Sequence, residues 1–214
     1  MRIKLIWNSN NLTMTKPLCL SFILCLMSIN FFGQSSNDPT AGITYVTLET
    51  NKKELAKEIS QFKSKEYIIN TIIGPAGNEE FQFETESLAA DDSGGLISVA
   101  FNCDKVDKRG LLLSFFGDHR NQNGVSGTAY GFRYIPLKDA QDLLIRLMGV
   151  KSNNKKYMSK ESDVNNVYVQ FEDIKFVLYK DGGEKVRVLW NGFEVIWEKT
   201  AYQRTKRRLD KWFE

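Results

Sequence analysis

Apolar positions recur along the chain first at intervals of three and four and then in short alternating runs, the pattern of helices interleaved with half-buried strands. Ile43–Leu48 reads as a short strand from its β-branched and aromatic content, after a leading segment, residues 35–42, expected to be disordered. Leu55, Ile59 and Phe62 then form one stripe among lysines and glutamates, and Asn51 with Glu54 three residues on makes a capping box. A helix is therefore predicted from about residue 51 to Lys65. Tyr67–Ile73 fits either its extension or a strand. Four runs follow, Glu80–Ser87, Leu96–Asn102, Leu111–Phe116 and Thr128–Ile135, separated by the turn-rich stretches Asp91–Gly95, Asp107–Gly110 and Asn123-Gly124. They predict an antiparallel meander. Pro136 introduces a second helix with Leu137, Ala140, Leu143, Leu144, Leu147 and Met148 on one face, and Gly149 stands where its C-cap is expected.

Residues 150–165 form a polar connection, read as a linker, a lid or a disordered excursion. It separates a first α+β unit, residues 35–149, from a β-meander with a C-terminal helix, residues 166–214, the two packing as one domain. The second unit holds the runs Val167–Phe171, Ile174–Tyr179, Lys185–Trp190 and Phe193–Glu198. The apolar phase slips at Glu172-Asp173, which is either a tight turn or a bulge. Asn191-Gly192 is the clearest local signal, because both residues tolerate the positive φ that a type I′ hairpin requires. A two-residue loop there pairs Trp190 with Phe193, Val188 with Val195 and Val186 with Trp197 on one apolar face. Lys185 with Glu198, Arg187 with Ile196 and Leu189 with Glu194 fall on the other face. A last helix begins near Thr200, with Ala201, Tyr202, Leu209, Trp212 and Phe213 inward and Arg204, Lys206, Arg207, Arg208 and Lys211 outside.

These elements define an α+β fold, antiparallel sheet or sheets packed against three helices. Residues 131–140 and 192–201 agree at five of ten positions, and both pass from strand to helix. A duplicated α-β4 unit, giving the order β-α-β4-α-β4-α, is one reading of that match, and shared strand-to-helix chemistry is the other.

The first residues form an address. Arg2, Lys4 and Lys16 precede an apolar run, Leu18–Phe32, that is interrupted by Ser21, Ser28 and Asn30. The run is shorter than the roughly twenty residues a spanning helix needs. Residues 1–34 are therefore expected to be a secretory signal peptide cleaved between Gly33 and Ser36, with Met14 as an alternative start. The ending Phe31-Phe32-Gly33-Gln34 resembles signal peptides of Gram-negative bacteria. Its removal changes the charge: the chain has 29 basic and 26 acidic residues, and the leader carries three basic and no acidic ones. A balanced mature chain has no large field for polyphosphate or an anionic membrane, so neither nucleic acid nor stable membrane insertion is expected. Cys19 and Cys25 leave with the leader, so Cys103 has no disulfide partner in the exported chain.

Candidate chemistry is sparse. His119 lies in a polar stretch, Gly117–Gly124, with Asp118 beside it, and is read as an exposed loop histidine. Cys103 is read as a small, semi-buried residue, and a Cys103–His119 nucleophilic pair would need two loops to meet. Ser60–Lys63 and Ser152–Lys155 have the Ser-x-x-Lys spacing of penicillin-recognising enzymes without the companion Lys-Thr-Gly, since Lys199-Thr200 is followed by Ala201. Glu80, Gln82, Glu84 and Glu86 would line one strand face, where carboxylates can serve calcium or glycoside hydrolysis, and a solvated face is the simpler account. Asp91, Asp92 and Asp181 are ordinary turn residues. Trp190, Trp197, Tyr168, Tyr179 and Phe193 suit either an aromatic platform or a core. No residue is assigned a catalytic, cofactor-binding or metal-binding role, and no cofactor is expected. The expected function is an exported binding or accessory module for a protein or glycan partner. The alternatives are an Asp/Glu hydrolase of glycan, cell-wall or peptide material, and an adaptor or inhibitor presenting residues 117–127 and 150–165.

Overall fold

The computed structural model of the chain describes residues 42–46, 52–91, 93–159 and 162–214. The predicted leader, Thr47-Leu48 of the first predicted strand, Asn51 of the capping box and Asp92 lie outside them. Within the described residues one antiparallel sheet of nine strands carries three helices, the α+β arrangement expected. The strands are β1 (Ile43–Tyr45), β2 (Glu84–Ala90), β3 (Leu96–Cys103), β4 (Lys108–Arg120), β5 (Ser126–Pro136), β6 (Ser162–Phe171), β7 (Ile174–Lys180), β8 (Glu184–Trp190) and β9 (Phe193–Glu198). Helix α1 runs from Lys52 to Ile73, α2 is Leu137–Asn153 and α3 is Lys199–Phe213.

Strands β2 to β5 form one meander and β6 to β9 another, each followed by a helix. The join between them lies on β4. One of its edges pairs along Gly110–Arg120 with β5, so every other partner must share the opposite edge. There Lys108–Phe115 pair with β3, and four residues farther on His119 pairs with Phe193 of β9. The Arg120 amide adds a hydrogen bond to the Gly192 carbonyl, 3.1 Å away.

Alternation along the central strands buries both faces of the first meander. Leu111, Leu113 and Phe115 of β4 enter a core shared with α2, α3 and the inner face of β6–β9, whereas Leu112 and Phe116 enter a second core beneath α1. In the second meander the hairpin register is the predicted one: Trp190↔Phe193, Val188↔Val195 and Val186↔Trp197 face the shared core. Asn191 and Gly192 take φ of 41° and 84°, as a type I′ turn requires. Glu172-Asp173 is the tight turn, since Phe171 pairs directly with Ile174.

Several expectations are revised. Helix α1 continues to Ile73, settling Tyr67–Ile73 as helical, and alternates α turns (Lys52–Glu58, Ser64–Tyr67) with π turns (Ile59–Lys63, Ile68–Ile73). Its buried positions Leu55, Ile59, Ser64 and Ile68 step by four, five and four, and the wider π turn absorbs the five. The same turn swings Phe62 off the predicted stripe, leaving it 65% exposed. Gly149 is not a C-cap: α2 runs on to Asn153, and Asn154 closes it with its main-chain and side-chain N–H groups on the Val150 carbonyl. The predicted polar connection shrinks accordingly, with β6 beginning at Ser162. The run predicted at Glu80–Ser87 is a strand only from Glu84, and β4 extends well past both predicted ends.

Two glycines separate steric demand from simple flexibility. A Cβ on Gly192 would stand 2.2 Å from the Arg120 carbonyl oxygen and 2.8 Å from His119 Nε2, whereas one on Gly149 meets nothing. Gly192→Ala is expected to destabilise the protein by about 2 kcal/mol or more, and Gly149→Ala to stabilise it by about 0.5–1 kcal/mol. Urea denaturation of the two variants beside the parent checks both signs.

Candidate functional site

His119 is not in a loop. It is a strand residue of β4, 3% exposed, in the seam where β4 meets β9. Its Nε2 lies 2.9 Å from the Asn191 carbonyl, which can only accept, so Nε2 carries the proton. Nδ1 is then the acceptor for the Tyr45 hydroxyl at 2.8 Å. The ring also packs on Phe193 at 4.7 Å between centroids. Asp118 points to the opposite, exposed side by strand alternation and does not orient it. With both nitrogens engaged inside the seam, His119 serves as a structural tie between β1, β4 and β9.

The other sequence candidates are not brought together. Cys103 is fully buried at the end of β3, opposite Lys108. His119 is eleven residues farther along β4, roughly 35 Å away at strand rise, so no Cys–His pair forms. The Ser60 hydroxyl donates to the Lys57 carbonyl and Lys63 pairs with Glu66, while Ser152 donates to the Met148 carbonyl. Both Ser-x-x-Lys serines are thus bonded back onto their own helices. Glu80, Gln82, Glu84 and Glu86 are all exposed. Trp190, Trp197 and Phe193 are core, and Tyr168 stands 56% exposed on the far side of the sheet. The segments 117–127 and 150–165, expected as presenting loops, are largely strand and helix. Among the described residues no group of three His, Cys, Asp or Glu is placed to hold a metal ion.

What the fold leaves open is the outer face of β6–β9. Helices α2 and α3 and the first meander cover its inner face, and among the described residues no helix packs on the outer one, where Tyr179 is buried and Val177 and Leu189 are half-buried among their neighbours on the sheet. Strand pairing aligns Tyr168, Val177, Arg187 and Ile196 in one row across all four strands. A second row holds Gln170, Lys175, Leu189 and Glu194. Arg187 Nη1 lies 3.3 Å from Glu194 Oε1 and its guanidinium sits 5.6 Å from the Tyr179 ring centre. Asn166, Val177, Tyr179, Arg187, Leu189 and Glu194 line a depression of about 400 Å³. Of four grooves lined by described residues, this is the one that includes a carboxylate, and Arg187 engages it. The hairpin register predicted the pairs Arg187–Ile196 and Leu189–Glu194. Their continuation to Tyr168 depends on the β6–β7 register, which no local signal fixed.

Buried polar ties hold this meander in place, and sequence reading missed them. Arg133 of β5 is nearly buried, donating from Nε to Asp173 Oδ1 at 2.9 Å and from Nη1 to the Tyr134 carbonyl at 2.7 Å, with Glu172 paired to its Nη2. Trp190 Nε1 donates to the other Asp173 oxygen at 2.7 Å. At the opposite end of the strands Glu184 is flanked by Lys151 of α2 and Lys199 of α3, the latter at 3.3 Å.

Comparison with protein-family models, with curated proteins and with solved structures finds no match.

Two carboxyls make stability depend on pH in opposite directions. Partial burial works to raise Glu184, but hydrogen bonds and charge from Lys151 and Lys199 outweigh it and hold the group below its ordinary value. Its contribution is full above the ordinary glutamate range and is lost as the pH falls through the lowered value. Burial pushes Asp91 up against hydrogen bonds from Ser93 and the turn, and its Oδ1 has no partner. Its contribution is present below the ordinary aspartate range and is lost as the pH rises through the raised value, so the ionised group is a cost at neutral pH. Glu184→Gln is expected to lose about 1 kcal/mol near pH 7 and little near pH 3, whereas Asp91→Asn gains stability near pH 7. Urea midpoints at the two pH values decide both.

Proposed function

We propose that the chain is an exported, non-enzymatic binding module that docks a protein partner on the outer face of β6–β9. The observation that carries this reading is the transverse row Tyr168–Val177–Arg187–Ile196, a tyrosine, an arginine and two aliphatics on a sheet face that no helix among the described residues covers. Tyrosine and arginine are the residues that most often anchor protein interfaces, because each pairs a large apolar surface with directional hydrogen bonding. The Arg187–Glu194 pair at the centre favours a partner with charges of both signs over a uniformly charged polymer. Strand spacing and rise give the face roughly 400 Å², about half of one side of a standard interface. The partner therefore reaches beyond the row, where Val164 farther along β6 stands exposed.

Export is supported by the sequence of the leader, and no helix among the described residues is long and apolar enough to cross a membrane. A duplicated origin of the two meanders is supported by the five-in-ten match and by their common strand-to-helix order. Phe132 and Phe193, matched in that alignment, lie in the cores beneath α1 and beside α2 and α3 respectively.

The test uses the exported protein and a variant carrying Tyr168→Ala, Arg187→Glu and Ile196→Asp, with affinity capture and cross-linking in the compartment where the protein accumulates. The parent is expected to retain a defined protein that the variant loses, at an unchanged melting temperature. Equal retention by both, retention of a glycan alone, or turnover of a glycan or peptide substrate contradicts the reading. Intact mass is expected to place the mature N-terminus between Gly33 and Ser36, and an exported chain that keeps residues 18–32 contradicts cleavage.

A further inference from the structure

The first meander has an open edge of its own. β2 pairs with β3 and with no other strand among the described residues. A groove of about 370 Å³ is lined by four successive residues of β2, Ser87 to Ala90. Ala56 of α1, Gly94 and Ile97 of β3 also line it, and it lies between α1 and α3, which pack on opposite faces of the meander, so its floor runs along the outer edge of β2. Its walls are helical: Lys57 and Ser60 of α1 on one side, Arg204 and Arg208 of α3 on the other.

Two features of this groove point to an occupant. The first is an offered main-chain acceptor. A bulge leaves Leu88 without a partner between the pairs Ser87↔Val99 and Ala89↔Ser98, and the Leu88 carbonyl turns out to accept from Arg208 Nη1 at 2.8 Å. The second is charge. Among the described residues no carboxylate lines the groove, and the Lys57 ammonium and Arg204 guanidinium have no polar partner there. In a chain whose basic and acidic residues balance once the leader is removed, this is a local segregation of positive charge against an unpaired strand edge.

We propose that this groove takes an extended acidic segment of a partner polypeptide, added as a short strand along the open edge of β2. Strand addition supplies affinity through main-chain hydrogen bonds, and flanking side chains supply the choice of sequence. Four residues of strand span about 13 Å, so the segment is short. A peptide N–H takes the Leu88 carbonyl, and Arg208, released from it, joins Lys57 and Arg204 in pairing with the carboxylates. In the empty protein the same arginine covers the acceptor and guards the edge against pairing with another copy. The site uses no residue of the β6–β9 face and stands independently of the role assigned there.

The experiment is fluorescence polarisation of a labelled, terminally blocked hexapeptide of alternating glutamate and valine, at low ionic strength, with the full exported chain. The chain is expected to bind it, to bind the lysine-valine counterpart at least roughly tenfold more weakly, and to lose roughly tenfold with Arg204→Glu or Lys57→Glu. Arg207→Glu, exposed on α3 but outside the groove, is expected to leave binding unchanged, and melting temperatures of all variants verify folding. Alternate N-methylation of the peptide is expected to abolish binding, because it removes the N–H groups that strand addition needs. No binding at millimolar peptide, equal binding of the N-methylated or lysine peptide, or an equal loss with Arg207→Glu overturns the proposal. So does capture of anionic lipid vesicles through Arg204 with no peptide bound.

Discussion

A strand has two edges, and β4 serves three partners. The chain meets this constraint with length: thirteen residues give β3 the first part of the shared edge and leave the last turn of the strand for β9. The contact itself spans a single residue pair, so hydrogen bonding alone cannot fuse the meanders. Packing completes it. Trp190 and Phe193 lie parallel with centroids 6.0 Å apart, Phe115 stacks against Trp190 at 4.7 Å, and His119 closes the row over Phe193. Each such buried ring contributes on the order of 2–3 kcal/mol, far more than one strand bridge. Gly131 makes room for this stack, since a Cβ there would lie 3.1 Å from Trp190 and 3.2 Å from Phe193.

Polar groups inside the seam are paired, and the pairing fixes orientation. His119 is a donor to one meander and an acceptor from β1, which holds a three-residue strand that could not persist alone. Arg133 spans from β5 to the β6–β7 turn and thereby sets where the second meander lies. Tyr202 of α3 packs on Trp197, and burial together with the Glu184 charge pushes its hydroxyl up to about 12, so it remains neutral and apolar in effect. On the first meander's side, the Thr205 hydroxyl of α3 and the Ser98 hydroxyl of β3 share a hydrogen bond of 2.6 Å, with the Ala201 carbonyl 3.0 Å from Thr205 and the Ala89 carbonyl 3.1 Å from Ser98 as acceptors for the remaining proton. One face of the second meander is sealed by these contacts. On the other, no helix among the described residues packs, and the row Tyr168–Val177–Arg187–Ile196 crosses it.

Legibility in the sequence followed the range of the interactions. The Asn191-Gly192 hairpin was readable to the residue because turn chemistry and alternation are local and agree. The strand Gly117–Arg120 was not, because glycine, aspartate, histidine and arginine carry loop chemistry, and the partners that hold His119 in the seam, Tyr45 and Asn191, are each more than seventy residues away. Phe62 was misplaced because helical periodicity assumes 3.6 residues per turn, and α1 departs from it at its first π turn. Gly149 was misread because a glycine near the end of an apolar stripe suggests a cap, whereas Asn154 beyond it does the capping. The outer-face row was half visible: β8 and β9 could be aligned from their turn, but Tyr168 and Val177 joined them only through pairings fixed in three dimensions.

The account rests on the two meanders folding as one body through the β4–β9 seam. Native-state hydrogen exchange tests this most directly, reading the Arg120 amide, which is bonded to Gly192, beside amides of β3 and β7. Exchange of all three sets through one global opening, with a common free energy and a common denaturant dependence, is the result expected. Opening of β6–β9 at a distinctly lower free energy, while β3 stays protected, would contradict it.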